Sequence, residues 1–192
     1  MASTEQRDLI EVLVQDHREV EEIFGELERG VEDVERRRQL TNVVVAELVR
    51  HSVAEEEYLY PTVRRVLPDG DKLADQEIAE HNEAERTMKE MEGVELTGSD
   101  FDSMLSALIG LVRTHIRDEE NELFPQLRNA CGEQELRELG EKVSTAKKYA
   151  PTRPHPSTPD SPTMQKMLSP AIGLVDRVRD ALGTRATKRD EV

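Results

Sequence analysis

The chain has 192 residues, which is the length of one domain with an extension, and only 3% of its side chains are aromatic, which favours helices over a large sheet. Its formal net charge of −15 argues against nucleic acid as a partner. No apolar run approaches the roughly 20 residues that span a membrane, and the single cysteine, Cys131, excludes an internal disulfide. Because the N-terminus is polar and lacks a signal pattern, we expect a cytoplasmic protein that contacts neither nucleic acid nor a membrane.

Four long segments carry apolar residues at every third or fourth position, which is the period of an amphipathic helix. We predict that these helices cover about residues 4–29, 33–67, 71–92 and 99–129, and that a shorter fifth helix covers 133–148. Pro61 and Pro125 lie inside the second and fourth helices. Each should kink or restart its helix, because proline has no backbone N–H donor.

The composition changes after the predicted fifth helix. Residues 150–162 contain five of the nine prolines and almost no apolar side chains, which is typical of an extended linker. A Ser-Pro pair at 169–170 then favours a new amphipathic helix. We therefore predict a helical domain over 1–149, a Pro-rich linker over 150–168, and a C-terminal helix with a polar, disordered tail over 169–192. That last helix could dock on the domain or bind a protein partner.

The most informative feature is an ungapped internal repeat of 64 residues. Shifting residues 9–64 by 64 places them on 73–128, so that His17 falls on His81, His51 on His115, Glu55 on Glu119 and Pro61 on Pro125. A repeat that served packing alone would match mainly in apolar residues, whereas these shared positions are mostly polar. The repeat unit is a helical hairpin, and we expect two hairpins related by a pseudo-two-fold axis.

The shared polar positions predict a buried site for two metal ions. In the second and fourth helices a histidine precedes a glutamate by four residues, which places both on one helix face. The first and third helices each add one histidine on the apolar stripe, so all these groups can meet inside an antiparallel bundle. Two buried carboxylates without partners would cost several kcal/mol each, and cations remove that cost. Imidazole with carboxylate suits iron or manganese, and closed zinc sites fit less well. The predicted ligands are His17, His51, Glu55, His81, His115 and Glu119.

Four further side chains could bind the metals or support the ligands. Glu21 and Glu85 each follow a predicted ligand histidine by four residues, so each could bind a metal, accept an imidazole proton or lie at the solvated edge. Tyr58 lies seven residues after His51, on the ligand face, and its repeat mate is Glu122. A phenolate or carboxylate there could fill an open metal position, and the alternative is a tyrosine hydroxyl hydrogen-bonded in the core.

Other side chains beside the predicted ligands are interpreted as supporting the fold or facing solvent. Glu56, Glu57 and Glu120, which lie just after the two predicted ligand glutamates, are expected on a solvated face. Tyr60 and Phe124, which directly precede the two prolines, are expected to anchor the helices where they bend.

The segments HSVAEEEYLYP and HIRDEENELFP, each preceded by a lone helical histidine, resemble the hemerythrin-like HHE cation-binding family over about residues 4–130. That resemblance implies an all-α, up-down-up-down four-helix bundle with a non-haem di-iron centre, oxo- or hydroxo-bridged, that binds oxygen, nitric oxide or peroxide. It also implies that the six predicted ligands hold two iron ions, with Glu55 and Glu119 bridging them. Iron is thereby preferred over manganese and zinc.

One residue departs from the pattern of the oxygen carriers that this family includes. Those proteins have a second histidine one turn after the third-helix histidine, where this chain has Glu85. Because a carboxylate-rich site favours ferric iron, we expect redox or peroxide chemistry rather than reversible oxygen storage. Three functions stay open: a protein that binds or responds to oxygen, nitric oxide or hydrogen peroxide, a catalase- or peroxidase-like enzyme that removes hydrogen peroxide, and a metal-stabilised interaction module.

Overall fold

A computed structural model describes residues 7–155 and 185–192, together with Asp176 and Asp180. Within that part of the chain every regular element is helical, which confirms the predicted all-α class. The helices are α1 (Leu9–Glu28), α2 (Val34–Ala54), α3 (Tyr60–Val66), α4 (Gly70–Met91), α5 (Ser99–Asp118), α6 (Phe124–Ala130) and α7 (Glu133–Ala146). Two π-helical segments, Glu55–Leu59 and Glu119–Leu123, join α2 to α3 and α5 to α6, and a short 3₁₀ turn covers Arg189–Glu191.

Four long rods form the bundle, because the π segments keep α2 continuous with α3 and α5 with α6. Short connections make successive rods antiparallel neighbours, so α1 packs on α2, α3 on α4 and α4 on α5, while α7 packs along α1. Gly30 (φ 84°) turns the chain after α1 in the left-handed region that favours glycine. None of the helices in the described residues has the length and apolar character needed to cross a bilayer.

The first helix begins later than its apolar pattern predicted, at Leu9 rather than near residue 4. The reason is a capping box, in which the Asp8 side chain accepts the Glu11 N–H at 2.9 Å and the Glu11 side chain accepts the Asp8 N–H at 2.8 Å. The other long helices begin and end within one or two residues of the predicted bounds.

Each proline of the repeat follows a widened helical turn. Since Pro61 and Pro125 have no N–H, the carbonyl four residues earlier lacks its usual donor. The backbone responds with a π turn, in which the Tyr60 N–H donates to the Glu55 carbonyl and the Phe124 N–H to the Glu119 carbonyl. The helical backbone thus continues through each proline with one wide turn, and such turns are frequent at functional sites.

Two clusters of buried apolar side chains fill the bundle, and the repeated histidines lie between them. The upper core cluster includes Val20, Leu48 and Met88. The lower core cluster includes Leu13 and Leu123, and α7 adds side chains to it. Because the histidines separate two apolar clusters, they lie deep in the bundle and away from either end.

The last residues of the chain contact the bundle. Ala186 is buried in the upper core cluster, Arg50 Nη1 donates to the Thr187 carbonyl at 2.8 Å, and Arg189 pairs with Glu26. The prediction of a disordered tail is wrong for residues 185–192, because these contacts fix them against α1 and α2.

The start of the predicted linker is also held in place. Asp176 Oδ2 accepts the backbone N–H groups of Thr152 and Arg153 at 3.1 and 3.2 Å. The rest of the linker and most of the predicted C-terminal helix lie outside the described residues. Its role with a protein partner and the domain boundary at residue 150 stay predictions.

Candidate metal centre

The six predicted ligand side chains meet between the two core clusters. All six are buried, and the carboxylates of Glu55 and Glu119 are fully so. His17 Nε2 lies 3.2 Å from His51 Nε2, which defines position one. His81 Nε2 lies 3.2 Å from His115 Nε2, which defines position two. Each hairpin therefore supplies one pair of imidazoles that point at a common centre.

Two carboxylates connect the positions. Glu55 Oε1 lies 3.1 Å from His51 Nε2, and its Oε2 lies 3.2 Å from His81 Nε2. Glu119 Oε2 lies 3.4 Å from His17 Nε2 and 3.6 Å from His115 Nε2. Each carboxylate thus contacts an imidazole from both hairpins, which is the arrangement that lets a carboxylate bridge two cations. The ligand atoms of position one, with both carboxylates, lie within 4.8 Å of one another.

The outer nitrogen of every imidazole faces a carboxylate. These pairs fix the ring orientation and aim the inner nitrogen at the centre. The four Nδ1-to-oxygen distances are 2.8 Å for His17–Glu120, 3.3 Å for His51–Asp16, 3.0 Å for His81–Glu56 and 3.3 Å for His115–Glu80.

The outer carboxylates obey the 64-residue repeat as well, since Asp16 is the mate of Glu80 and Glu56 the mate of Glu120. The interpretation of Glu56 and Glu120 as a solvated face was wrong, and Glu57 is buried as well. The 3.6-residue helix period directs Glu56 and Glu120 away from the core. In the structure each of these carboxylates lies against an imidazole of another helix. Their repetition beside the predicted ligands was the available signal.

Electrostatics in the cluster couple the imidazoles to the carboxylates. Burial disfavours the charged form of His51, but Glu55 and Asp16 outweigh burial and raise the His51 pKa to about 10. The pKa values of His81 and His115 are also raised against burial, by Glu55 and Glu119 respectively among other carboxylates. Burial opposes the charge of Glu55, but its imidazole neighbours hold the pKa of Glu55 well below the usual value. Protons on the imidazoles therefore offset the carboxylate charge, and cations could replace them.

Three carboxylate oxygens at the centre lack an aligned hydrogen-bond donor among the described residues. They are Glu55 Oε1, Glu77 Oε2 and Glu119 Oε2. Their contacts with imidazole nitrogens are close but do not follow the ring N–H direction. Leaving a buried carboxylate oxygen without a donor costs free energy, and a metal cation would satisfy it. The donor set, with four imidazoles and buried carboxylates, therefore fits a dinuclear metal centre.

The structure does not bring the four additional candidates into this cluster. Glu21 forms an ion pair with Arg113 at 3.0 Å on the outer surface, and Glu122 is exposed. Glu85 Oε1 accepts the backbone N–H of His155 at 2.6 Å. Tyr58 is half-buried against the lower core cluster. Glu21 thus takes the solvated-edge alternative, whereas the contacts of Glu85 and Tyr58 depend on neighbouring segments whose positions the sequence did not show.

Tyr60 enters the centre in place of Tyr58. Its hydroxyl lies 3.1 Å from His81 Nε2 and 3.4 Å from both Glu55 Oε2 and Glu119 Oε1. The expectation that Tyr60 only anchors a bend was incomplete, because the π turn places residue i+5 over residue i. Its repeat mate Phe124 instead stacks on the His17 ring, with centroids 5.9 Å apart and an interplanar angle of 8°.

A small cavity adjoins the four imidazoles. Its volume is about 30 Å³, enough for one or two molecules the size of water. Apolar side chains from α1, α2, α4 and α5 form most of the remaining wall, and Asp16, Ser52 and Glu80 also line it. The apolar residues include Val20, Leu48, Ala84, Met88, Val112 and Ile116. The cavity therefore has room only for very small molecules in this conformation.

Comparison with known proteins adds a family match. The family model described as Hemerythrin HHE cation binding domain matches residues 8–127. A protein of Schizosaccharomyces pombe named as an uncharacterized hemerythrin-like protein is 26% identical over 173 residues, which cover 90% of this chain and 85% of that protein. A DNA nickase of Nostoc is 28% identical over 138 residues, which cover 71% of this chain but only 38% of the nickase.

A solved structure shares the fold. The crystal structure of a hemerythrin HHE cation binding domain-containing protein from Mycobacterium kansasii superposes with a TM-score of 0.65 at 20% identity, and the match covers 74% of this chain and 86% of that one. At that identity the likeness concerns the fold alone, and it agrees with the helical bundle described above.

Proposed function

The chain belongs to the hemerythrin HHE cation-binding domain family, and on that premise we propose that its buried cluster holds two iron ions and binds or responds to oxygen, nitric oxide or hydrogen peroxide. The ligands would be the two imidazole pairs of positions one and two, with Glu55 and Glu119 bridging. One observation carries the proposal: two carboxylates, each with an oxygen that lacks an aligned donor, connect two imidazole pairs beside a small cavity.

Iron suits this donor set, because imidazole and carboxylate together favour iron or manganese over softer metals. When bound, iron would supply a redox-active centre with an open position for a small molecule. The chain contributes the rest. The outer carboxylates hold the imidazole orientation, and the apolar wall of the cavity admits small uncharged molecules.

A second candidate function is the removal of hydrogen peroxide, and the position of Tyr60 favours it. Peroxide disproportionation needs proton movement between two peroxide molecules. The Tyr60 hydroxyl lies within hydrogen-bond reach of His81 and near both bridging carboxylates, so it can hold or pass a proton at the centre. Tyr60 is buried, and burial together with Glu55 raises its pKa well above the usual value, so the hydroxyl stays protonated and can donate a hydrogen bond at the centre.

The nicking activity in the name of the Nostoc relative is not proposed for this chain. Only 38% of that protein is matched, and a formal net charge of −15 opposes binding to DNA.

Metal analysis followed by ligand titration tests the proposal. Protein from iron-supplemented cells should contain about two metal ions per chain, and His51→Ala should lose them. His155→Ala is the matched control, since that histidine lies outside the cluster and pairs with Asp176 at 3.0 Å. A wild-type count well below two would overturn the dinuclear site.

Titration of the loaded protein separates the three functions. Steady oxygen release from hydrogen peroxide, lost in His51→Ala, supports the enzyme. Spectral changes with nitric oxide or oxygen but no turnover support a sensor or carrier. If the metal-free protein behaves like the loaded one in every functional assay, the metal serves only the fold and the interaction module is favoured.

A further inference from the structure

We propose that Glu77 is a third carboxylate ligand, that it serves position two alone, and that it makes the two metal positions chemically unequal. This inference rests on the dinuclear site proposed above. It assigns a role to a residue that the 64-residue repeat does not mark, since the ligand set of that repeat contains one carboxylate from each hairpin.

Glu77 lies on α4 one turn before His81 and is only 4% exposed. Its Oε2 lies 2.8 Å from His115 Nδ1. The ring N–H, however, is aligned with Glu80 Oε2 at 3.3 Å, which leaves Glu77 Oε2 without an aligned donor. A buried carboxylate oxygen in this state needs a cation or a proton.

Glu77 is also within reach of a shared cation. One ligand atom each from Glu77, His115 and Glu119 lie within 4.8 Å of one another. In the metal-free structure Glu77 Oε2 faces the outer nitrogen of His115, so binding a cation held by His115 and Glu119 requires the Glu77 side chain to turn towards the centre.

The internal repeat shows that packing does not require a carboxylate here. The mate of Glu77 is Leu13, a fully buried apolar residue of the lower core cluster. The fold thus accepts leucine at this place in one hairpin and has glutamate in the other. Glu80, by contrast, has a carboxylate mate in Asp16, so the outer contact with His115 is already made without Glu77.

A second difference between the hairpins falls on the same position. Tyr60 presents its hydroxyl to His81, while Phe124 presents an apolar ring to His17. Position two therefore has two polar side chains, Glu77 and Tyr60, whose repeat mates at position one are apolar. Because carboxylate oxygens favour hard cations, position two should bind Mn²⁺ or iron more tightly and fill first.

Stepwise metal titration of the full chain tests this inference. Metal-free protein is titrated anaerobically with Mn²⁺, and separately with Fe²⁺, against a competing chelator. Wild type should bind two ions in two steps whose dissociation constants differ at least tenfold. Glu77→Gln should weaken the tighter step by about 10- to 100-fold and leave the other unchanged. Glu83→Gln removes the same charge from an exposed position on α4 and should change neither step.

Two further measurements separate ligation from other roles of Glu77. Glu77→Leu copies the opposite hairpin, so it should fold and make the dissociation constants of the two steps equal. In Co²⁺-substituted protein, Glu77→Gln should intensify the visible d–d absorption, because losing one oxygen lowers the coordination number.

Several results would overturn the assignment. If both dissociation constants stay unchanged in Glu77→Gln and Glu77→Leu, Glu77 does not bind metal. Equal weakening of both steps would indicate a general charge effect, and weaker binding with an unchanged cobalt spectrum would mean that Glu77 acts only through His115. If wild type itself binds fewer than two ions, the proposed function fails instead, and the two failures are thus distinguishable.

Discussion

Removing the metal should make the stability of this protein fall as the pH rises from 6.5 towards 10. In the metal-free protein His51 has a pKa of about 10 against 6.5 for the unfolded chain. The folded state therefore holds the imidazole proton more tightly than the unfolded state. That stabilisation is complete below pH 6.5 and is lost as the pH rises through the window between the two pKa values.

The magnitude follows from the size of the shift. One pKa unit corresponds to roughly 1.4 kcal/mol, so His51 contributes at most about 5 kcal/mol. His81 and His115 add to the effect, since their pKa values are also raised. Domains are typically stable by about 5–15 kcal/mol, so the metal-free protein should lose a large part of its stability by pH 9. In the loaded protein the imidazoles are neutral ligands, and stability should not fall over this range.

Urea unfolding followed by circular dichroism measures the effect. Chelator-treated and iron-loaded protein are compared between pH 6.5 and 9, a range that avoids most lysine titration. His51→Gln keeps a polar side chain next to Asp16 and Glu55 but cannot take up the proton. Its slope should be shallower than that of metal-free wild type by about 1.4 kcal/mol per pH unit.

Two outcomes would refute this reasoning. A metal-free protein whose unfolding free energy is flat or rises between pH 6.5 and 9 would mean that the imidazoles are not held protonated by the carboxylates. Equal slopes in His51→Gln and wild type would place the titrating group elsewhere.

Three further predictions follow from the described contacts. Tyr60→Phe should keep two metal ions but lower peroxide turnover by about 10²- to 10⁴-fold, as expected for loss of a proton donor. Tyr58→Phe should leave peroxide turnover unchanged. Oxygen release measures turnover in both variants, and equal effects would contradict the role given to Tyr60. Glu120→Gln should weaken metal binding by about 10- to 100-fold because His17 loses its outer carboxylate, and chelator competition would show no change if that pair is incidental. Gly140→Ala should destabilise the protein by about 1–3 kcal/mol, since a Cβ there would lie 2.5 Å from a backbone oxygen just before α1. Gly110→Ala, where a Cβ would have nothing within 4 Å, should stabilise α5 by about 0.5–1 kcal/mol. Thermal melts that rank the two variants in the opposite order would contradict this.

The sequence by itself determined the helical class, the bounds of most helices and the six side chains that meet in the bundle. The helix period and an ungapped repeat are sufficient to predict these features, because a residue at i+4 shares a face with residue i in any regular helix. His51 with Glu55, and His115 with Glu119, are pairs of this local kind. Their burial at one depth follows from the antiparallel arrangement of equivalent hairpins.

The tertiary structure decided which side chains surround those six. Tyr60 rather than Tyr58 enters the centre because the π turn changes the helix period, and the 3.6-residue period used for the prediction does not hold there. The positions of Glu77 and of the outer carboxylates depend on how one helix lies against the next. Contacts between helices carry no sequence period of their own, so only packing placed Glu77 beside His115 and held Glu85 against the backbone of His155.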